Sequence, residues 1–175
     1  MYIGRIEKKK NVLGLIHAIR AVHAHNPEIK LVLAGQLGYG GQDVLEAIRT
    51  FKLQDKVIHL GWILREQYLQ LLHQATLLIL PSFGEGFGMP VLEAMLQGIP
   101  VVCSDLPVLR EVGGNAAQYV NPRDPEDIAL GIKNVLENEM LQSEMVRKGK
   151  ERARDYTWEK SAKETWNVIC NSIGR

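Results

Sequence analysis

Six short apolar runs recur along the chain, at 1–4, 30–35, 56–60, 77–81, 100–103 and 117–120. The fourth, Leu77-Leu78-Ile79-Leu80-Pro81, has no polar–apolar alternation. That is the pattern of a strand buried on both faces of a parallel sheet. Between the runs the apolar spacing becomes helical. Val12, Leu15, Ile16, Ile19 and Val22 share one helical face, as do Val44, Ala47, Ile48 and Phe51. Tyr68, Leu72 and Ala75, then Val91 and Met95, then Ile128, Ile132 and Val135 repeat the pattern. Alternating strands and helices predict an α/β chain, a Rossmann-like doubly wound parallel sheet of six strands with helices on both faces. Right-handed crossovers follow. Residues 139–172 read as helical, broken near Tyr156, with Thr157 placed to cap the second of the two helical segments. No linker or internal repeat intervenes, so residues 1–175 are read as a single domain.

In the doubly wound order, strands one and four lie side by side, and ligands bind beyond their carboxyl ends. The two loops expected there are also the most chemically loaded. The first carries Gly4, Arg5 and Lys10, and the second runs Ser82-Phe83-Gly84-Glu85-Gly86-Phe87-Gly88-Met89. Pro90 is predicted to start a helix, since its missing N–H costs nothing in a first turn, and Glu93 is placed in that first turn. A glycine-rich turn opening into a helix presents free N–H groups to phosphate. Phosphate alone has no need of a carboxylate on each side. A ligand with both phosphate and hydroxyl groups does, because carboxylates accept hydrogen bonds from hydroxyls.

Composition narrows the rest. At 46% hydrophobic and 23% charged, the chain has the make-up of a packed globular domain. A net charge of +1 leaves no electrostatic footprint for nucleic acid. No apolar run reaches the roughly 18 residues of a membrane span, and neither a membrane-spanning segment nor a signal peptide is expected. Cys103 and Cys170 are isolated, which implies neither disulfide nor zinc site; Cys103 reads as a small buried hydrophobe. His17, His23, His25, His59 and His73 show no ligand spacing, so neither a metal nor another cofactor is expected.

Glu85 and Glu93, with Gly-Phe-Gly-Met-Pro between them, resemble the signature of retaining GT-B-fold glycosyltransferases, the large family of sucrose synthase-like and bacterial lipopolysaccharide and capsule enzymes. Gly4-Arg5 followed by Lys10-Asn11 resembles that family's other donor-side motif, and the likeness continues through Pro100-Val101-Val102 and Asn121-Pro122-Arg123-Asp124-Pro125-Glu126 to Tyr156-Thr157-Trp158-Glu159. The resemblance implies the donor-binding, C-terminal half of a GT-B fold. The N-terminal acceptor domain is then absent, and an excised domain and a truncated gene product fit equally. The implied reaction moves a hexosyl group from a nucleotide sugar, GDP-mannose first and UDP- or ADP-glucose next, to a saccharide or lipid-linked acceptor. The fragment alone is expected to be inactive in transfer. Arg5, Lys10 and Glu85 are the implied catalytic residues, with the two cations on the leaving diphosphate and Glu85 on hydroxyls of the transferred sugar. Gly4, Gly35, Trp62, Gly86, Phe87, Gly88, Met89 and Glu93 are the implied donor-binding residues, with Glu93 on the ribose. The expected address is the cytoplasm, with peripheral attachment of the full enzyme to a membrane left open. A nucleotide-sugar epimerase or a phosphorylase of the same architecture, a non-catalytic nucleotide-sugar module and a glycoside hydrolase using both glutamates are the competing readings.

Several positions carry a plainer expectation beside the functional one. Lys8 and Lys9 read as a solvated charged turn, and Arg5 and Lys10 as exposed cations whose removal leaves stability nearly unchanged. The Phe87 ring reads as a core plug, its backbone alone being assigned to binding. Trp62 fits equally a base-stacking surface and a half-buried core position. Gly35 to Gly41 has the glycines of a dinucleotide fingerprint but follows the wrong strand with the wrong spacing, and is read as a flexible loop. Trp158 and Trp166 share a face with Ala162 and Ile169, a stripe read as core, part of it left for the missing domain.

Overall fold

A computed structural model describes residues 1–173. It contains six strands, β1 (Tyr2–Ile3), β2 (Leu31–Ala34), β3 (Val57–Gly61), β4 (Leu78–Leu80), β5 (Val101–Ser104) and β6 (Gln118–Val120). All pair in parallel. Each lies within a residue or two of its expected bounds. The central strands β4 and β5 are buried at every position, whereas β3 alternates and leaves Ile58 and Leu60 partly exposed. That difference is the one expected between strands covered on both faces and a strand at the edge.

The sheet is not one continuous ladder. β1-β2-β3 and β4-β5-β6 are separate three-stranded ladders. They meet at the middle, where the Ile79 N–H donates to the Met1 carbonyl at 2.9 Å and the Met1 nitrogen to the Leu77 carbonyl. The strand order is therefore 3-2-1-4-5-6, with β1 beside β4 at the switch point.

Helices α1 (Val12–His25), α2 (Gly41–Thr50) and α6 (Pro125–Leu136) pack together as one layer. α3 (Arg65–Gln74), α4 (Met89–Gln97), α5 (Pro107–Gly113) and α7 (Glu139–Ala153) form the other. The short α5 is absent from the helical periodicity, being too brief to show it. The Asn121–Glu126 stretch is a helix start: the Asp124 carboxylate accepts from the Glu126 N–H at 2.9 Å, with Pro125 in the first turn. α4 begins at Met89 rather than Pro90, after Gly88 at φ 100°, and closes on Gly98 at φ 72°. Cys103 is fully buried, and burial pushes its thiol up to about 12.

The last helix, α8 (Trp158–Ile173), departs from the core expectation. Thr157 caps it, its hydroxyl accepting from the Lys160 N–H at 3.1 Å. None of its residues is buried; Trp158 is 78% exposed and Trp166 65%. The apolar stripe is real, but nothing among the described residues covers it.

Candidate functional site

The loops after β1 and β4 do converge. A single 3₁₀ turn, Lys8–Lys10, follows β1. It ends on Asn11, which is 6% exposed and held at φ 54°. The Asn11 side-chain amide donates to the Pro81 carbonyl at 3.0 Å and to the Pro122 carbonyl at 2.6 Å. One buried amide thus ties the start of α1 to the loops after β4 and β6. The Phe83 N–H adds a bond of 2.9 Å to the Lys9 carbonyl.

Within this frame Lys10 and Glu85 meet directly, with Nζ and Oε2 2.7 Å apart. The buried Ser82 hydroxyl donates to the other oxygen, Oε1, at 2.6 Å. The Glu85 side chain is only 9% exposed and that of Lys10 23%. Lys10 is therefore not the freely exposed cation of the sequence reading, and the two residues form one polar unit at the mouth of the site. Arg5 fits the expectation better. Its side chain is 67% exposed, with Glu7 4.0 Å from Nε as a distant partner. Lys8 lies 3.9 Å from Asp43 and 4.8 Å over the Tyr39 ring, so it points away from the Glu85 cluster.

A cleft of about 390 Å³ opens at the carboxyl ends of β1 to β3. It gathers Gly4, Arg5, Gly35 and Trp62 with Gln36. Its floor is main chain. Gly4 sits at φ 137° and Gly35 at φ 149°, and a β-carbon on Gly35 would lie 1.9 Å from the Gly4 carbonyl oxygen. Only glycine permits that approach. His59 lies beneath, its Nε2 3.0 Å from the Gly35 carbonyl. Trp62 is 66% exposed at the rim, which removes the core alternative for this residue.

Glu93 forms a third cluster, and its position corrects the sequence reading. It is the fifth residue of α4, so no acid occupies the first turn. Helix-dipole attraction, which fades beyond that turn, is not its reason for being there. Its Oε2 accepts from the Tyr68 hydroxyl at 2.6 Å and its Oε1 from Arg65 Nη1 at 3.2 Å. Neither partner stands out in the sequence, where Tyr68 is one more apolar position on α3. Burial, and then the bond to Glu93, raise the Tyr68 phenol far above its ordinary range.

Between the acids, a β-carbon on Gly86 would meet nothing within 4 Å, whereas one on Gly88 would lie 2.6 Å from Leu109 Cδ2. Met89 and Phe87 are exposed, 40% and 41%. Phe87 is therefore no core plug. Its ring meets Tyr156 edge-on at 6.0 Å, at the joint between α7 and α8. Among the described residues, no group of three His, Cys, Asp or Glu side chains is placed to hold a metal, and no helix is long and apolar enough to cross a membrane.

Residues 1–152 match the model of the family described as glycosyl transferases group 1. The chain belongs to that family. As a group 1 chain it is 31% identical over 169 residues to the O-antigen chain mannosyltransferase B of Escherichia coli, covering 96% of itself and 44% of that protein. It is 29% identical over 171 residues to the glycogen synthase of Mycobacterium tuberculosis, covering 96% of itself and 41% of the relative. It thus spans less than half the length of these relatives. Among solved structures, Staphylococcus aureus TarM, crystallised with fondaparinux, alpha-GlcNAc-glycerol and UDP, superposes with a TM-score of 0.86 at 22% identity, over 97% of this chain and 34% of TarM. Anabaena HepE in complex with UDP and glucose gives 0.84 at 22% identity, over 98% of this chain and 47% of HepE. These likenesses fix the fold as that of a GT-B glycosyltransferase domain.

Proposed function

We propose that this group 1 chain is the donor-binding domain of a retaining glycosyltransferase, with Arg5 and Lys10 on the diphosphate, Glu85 on the transferred sugar and Glu93 on the ribose. The carrying observation is the 2.7 Å contact between Lys10 and Glu85, residues 75 positions apart on the loops after β1 and β4. A cation and a carboxylate held side by side suit a ligand in which a phosphate adjoins a hydroxyl-bearing ring. Backbone N–H groups around Gly86 and Gly88 suit the same phosphates, and the exposed Trp62 suits the base. The mannosyltransferase and glycogen synthase relatives favour a hexose donor, GDP-mannose first and UDP- or ADP-glucose next. The acceptor is then a saccharide or lipid-linked saccharide, held by an N-terminal domain outside this chain. A cytoplasmic address accompanies this reading, since nucleotide sugars are its substrate.

In this reading the bond from anomeric carbon to phosphate oxygen breaks as the acceptor oxygen arrives on the same face. Negative charge grows on the leaving diphosphate. Lys10, held in place by Glu85, and the exposed Arg5 supply the positive charge that stabilises it. The diphosphate oxygen takes the acceptor proton. The reading calls for no metal, because the two side chains supply the positive charge. A hydrolase pair fits less well. Glu85 is held as an acceptor by two donors, whereas a general acid must have a proton to give.

The test is a melting series with GDP, UDP and ADP. A nucleotide at about 100 times Kd stabilises by roughly 2.7 kcal/mol, a rise of roughly 5–10 °C for a domain of this size. If none of the three moves the melting temperature, the donor-site reading is wrong.

A further inference from the structure

The contacts around Glu93 go beyond a carboxylate near a ribose. We infer that Tyr68 is a positioning residue for ribose recognition, its buried hydroxyl fixing the plane of the Glu93 carboxylate so that its two free acceptor positions face a vicinal diol. The inference rests on the donor-site reading above.

The argument is one of acceptor positions. An ionised carboxylate offers about four, two on each oxygen. The Tyr68 hydroxyl occupies one on Oε2 at 2.6 Å, and Arg65 Nη1 one on Oε1 at 3.2 Å. One position remains on each oxygen. Two acceptors a carboxylate's width apart, held in one plane, match the 2′- and 3′-hydroxyls of a ribose.

The two partners are unequal. Tyr68 is 7% exposed and packed into the core from α3, so its hydroxyl cannot wander. The Arg65 side chain is 69% exposed at the first position of the same helix. The shorter bond to the fixed partner sets the orientation, and Arg65 only reinforces it from the solvent side. The elevated phenol ionisation keeps Tyr68 a donor throughout the neutral range. A terminal carboxylate torsion is otherwise broad and soft, and an unanchored Glu93 would lose that freedom on every binding event. Arg65 also follows the Trp62 loop by three residues, so the anchor for the ribose acid and the proposed base-facing rim belong to one continuous segment.

The test uses the nucleoside diphosphate that gives the largest shift in the melting series, its 2′-deoxy counterpart and inorganic pyrophosphate. Calorimetry gives the affinity of each for the intact chain and its variants. A hydroxyl bonded to a charged acceptor is worth about tenfold in affinity or more, so the intact chain is expected to prefer ribose over deoxyribose by that factor. In Tyr68→Phe, which keeps the buried ring, the preference is expected to fall to about threefold or less. Pyrophosphate affinity should stay unchanged. In a Glu93→Gln background, Tyr68→Phe should have little further effect on the preference, because there is no carboxylate left to orient.

If Glu93→Ala leaves the ribose preference intact, the ribose assignment fails and the inference fails with it. If Glu93→Ala removes the preference while Tyr68→Phe keeps it, the donor-site reading stands and the positioning role is overturned. Equal losses for pyrophosphate and nucleotide in Tyr68→Phe overturn it too, since they mark general damage to the domain. Should Tyr68→Phe not fold, Tyr68→Met, which also removes the hydroxyl and keeps an apolar side chain in the core, decides: a preference reduced to about threefold or less supports a pinned carboxylate, and an unchanged one overturns it.

Discussion

At the scale of single residues, the ion pair between Lys10 and Glu85 alters what substitution will do. With Lys10 gone, Glu85 keeps only Ser82 as a partner at 9% exposure. A nearly buried acceptor deprived of its cation costs about 1–3 kcal/mol. Lys10→Ala is therefore expected to lower the melting temperature as well as weaken diphosphate binding, whereas the exposed Arg5→Ala should weaken binding alone. Glu85→Gln should leave affinity for a bare nucleoside diphosphate nearly intact. Melting curves and titrations of the three variants separate these outcomes. A Lys10→Ala protein as stable as the parent would show that the pair carries no weight in the fold. The sequence makes both residues legible as site candidates, because an acid in a glycine loop and a cation after the first strand have no packing reason to be there. It hides their contact, which depends on two loops 75 residues apart. Tyr68 is illegible for another reason: an aromatic at core spacing counts as core, and only the fold shows where its hydroxyl ends.

At the scale of elements, glycines that look alike in sequence divide into two kinds. Gly35 is sealed, with a positive φ and the Gly4 carbonyl where a β-carbon would go. Gly35→Ala is expected to cost at least about 2 kcal/mol, read as a melting temperature lowered by roughly 4–8 °C. Gly86 faces open space. Gly86→Ala should stay within about 0.5 kcal/mol of the parent yet weaken diphosphate binding by obstructing the approach of phosphate. A large stability loss at Gly86, or none at Gly35, would contradict these assignments. Strands and long helices are legible because burial writes its period into the chain. The place of Glu93 within its helix is not, because helix ends depend on local geometry at Gly88 that periodicity does not record. The break between the two ladders also escapes the pattern, which marks where a strand lies and not how well its edges pair.

At the scale of the molecule, α8 stands apart. Sixteen residues with none buried are held by a cap and by their own backbone. An isolated helix of that length is marginal in water. A chain ending at Thr157 should keep its stability within about 0.5 kcal/mol, and amide exchange over 158–173 should be far faster than over α4. Slow exchange there would mean that the stripe of Trp158, Trp166 and Ile169 is covered in solution, for instance by a second copy. Sequence periodicity detects such a face without saying what lies against it, which is why the stripe looks like core until the fold is seen.

The glycine floor of the cleft carries one more consequence. Gly4, Gly35 and Gly61 close the ends of three neighbouring strands, joined by bonds of 3.0 Å from Gly4 N–H to the Ala34 carbonyl and 2.7 Å from Gly35 N–H to the Gly61 carbonyl. A surface built of peptide groups offers nothing for a point mutation to retune, and any side chain added at Gly35 breaks it. In the donor-site reading, a change of nucleotide preference is therefore expected at the rim, where Gln36 and Trp62 carry side chains, and not at the floor. On that reading, exchanging those residues with the floor untouched is expected to change which of GDP, UDP and ADP raises the melting temperature most, with little effect on the melting temperature of the free chain.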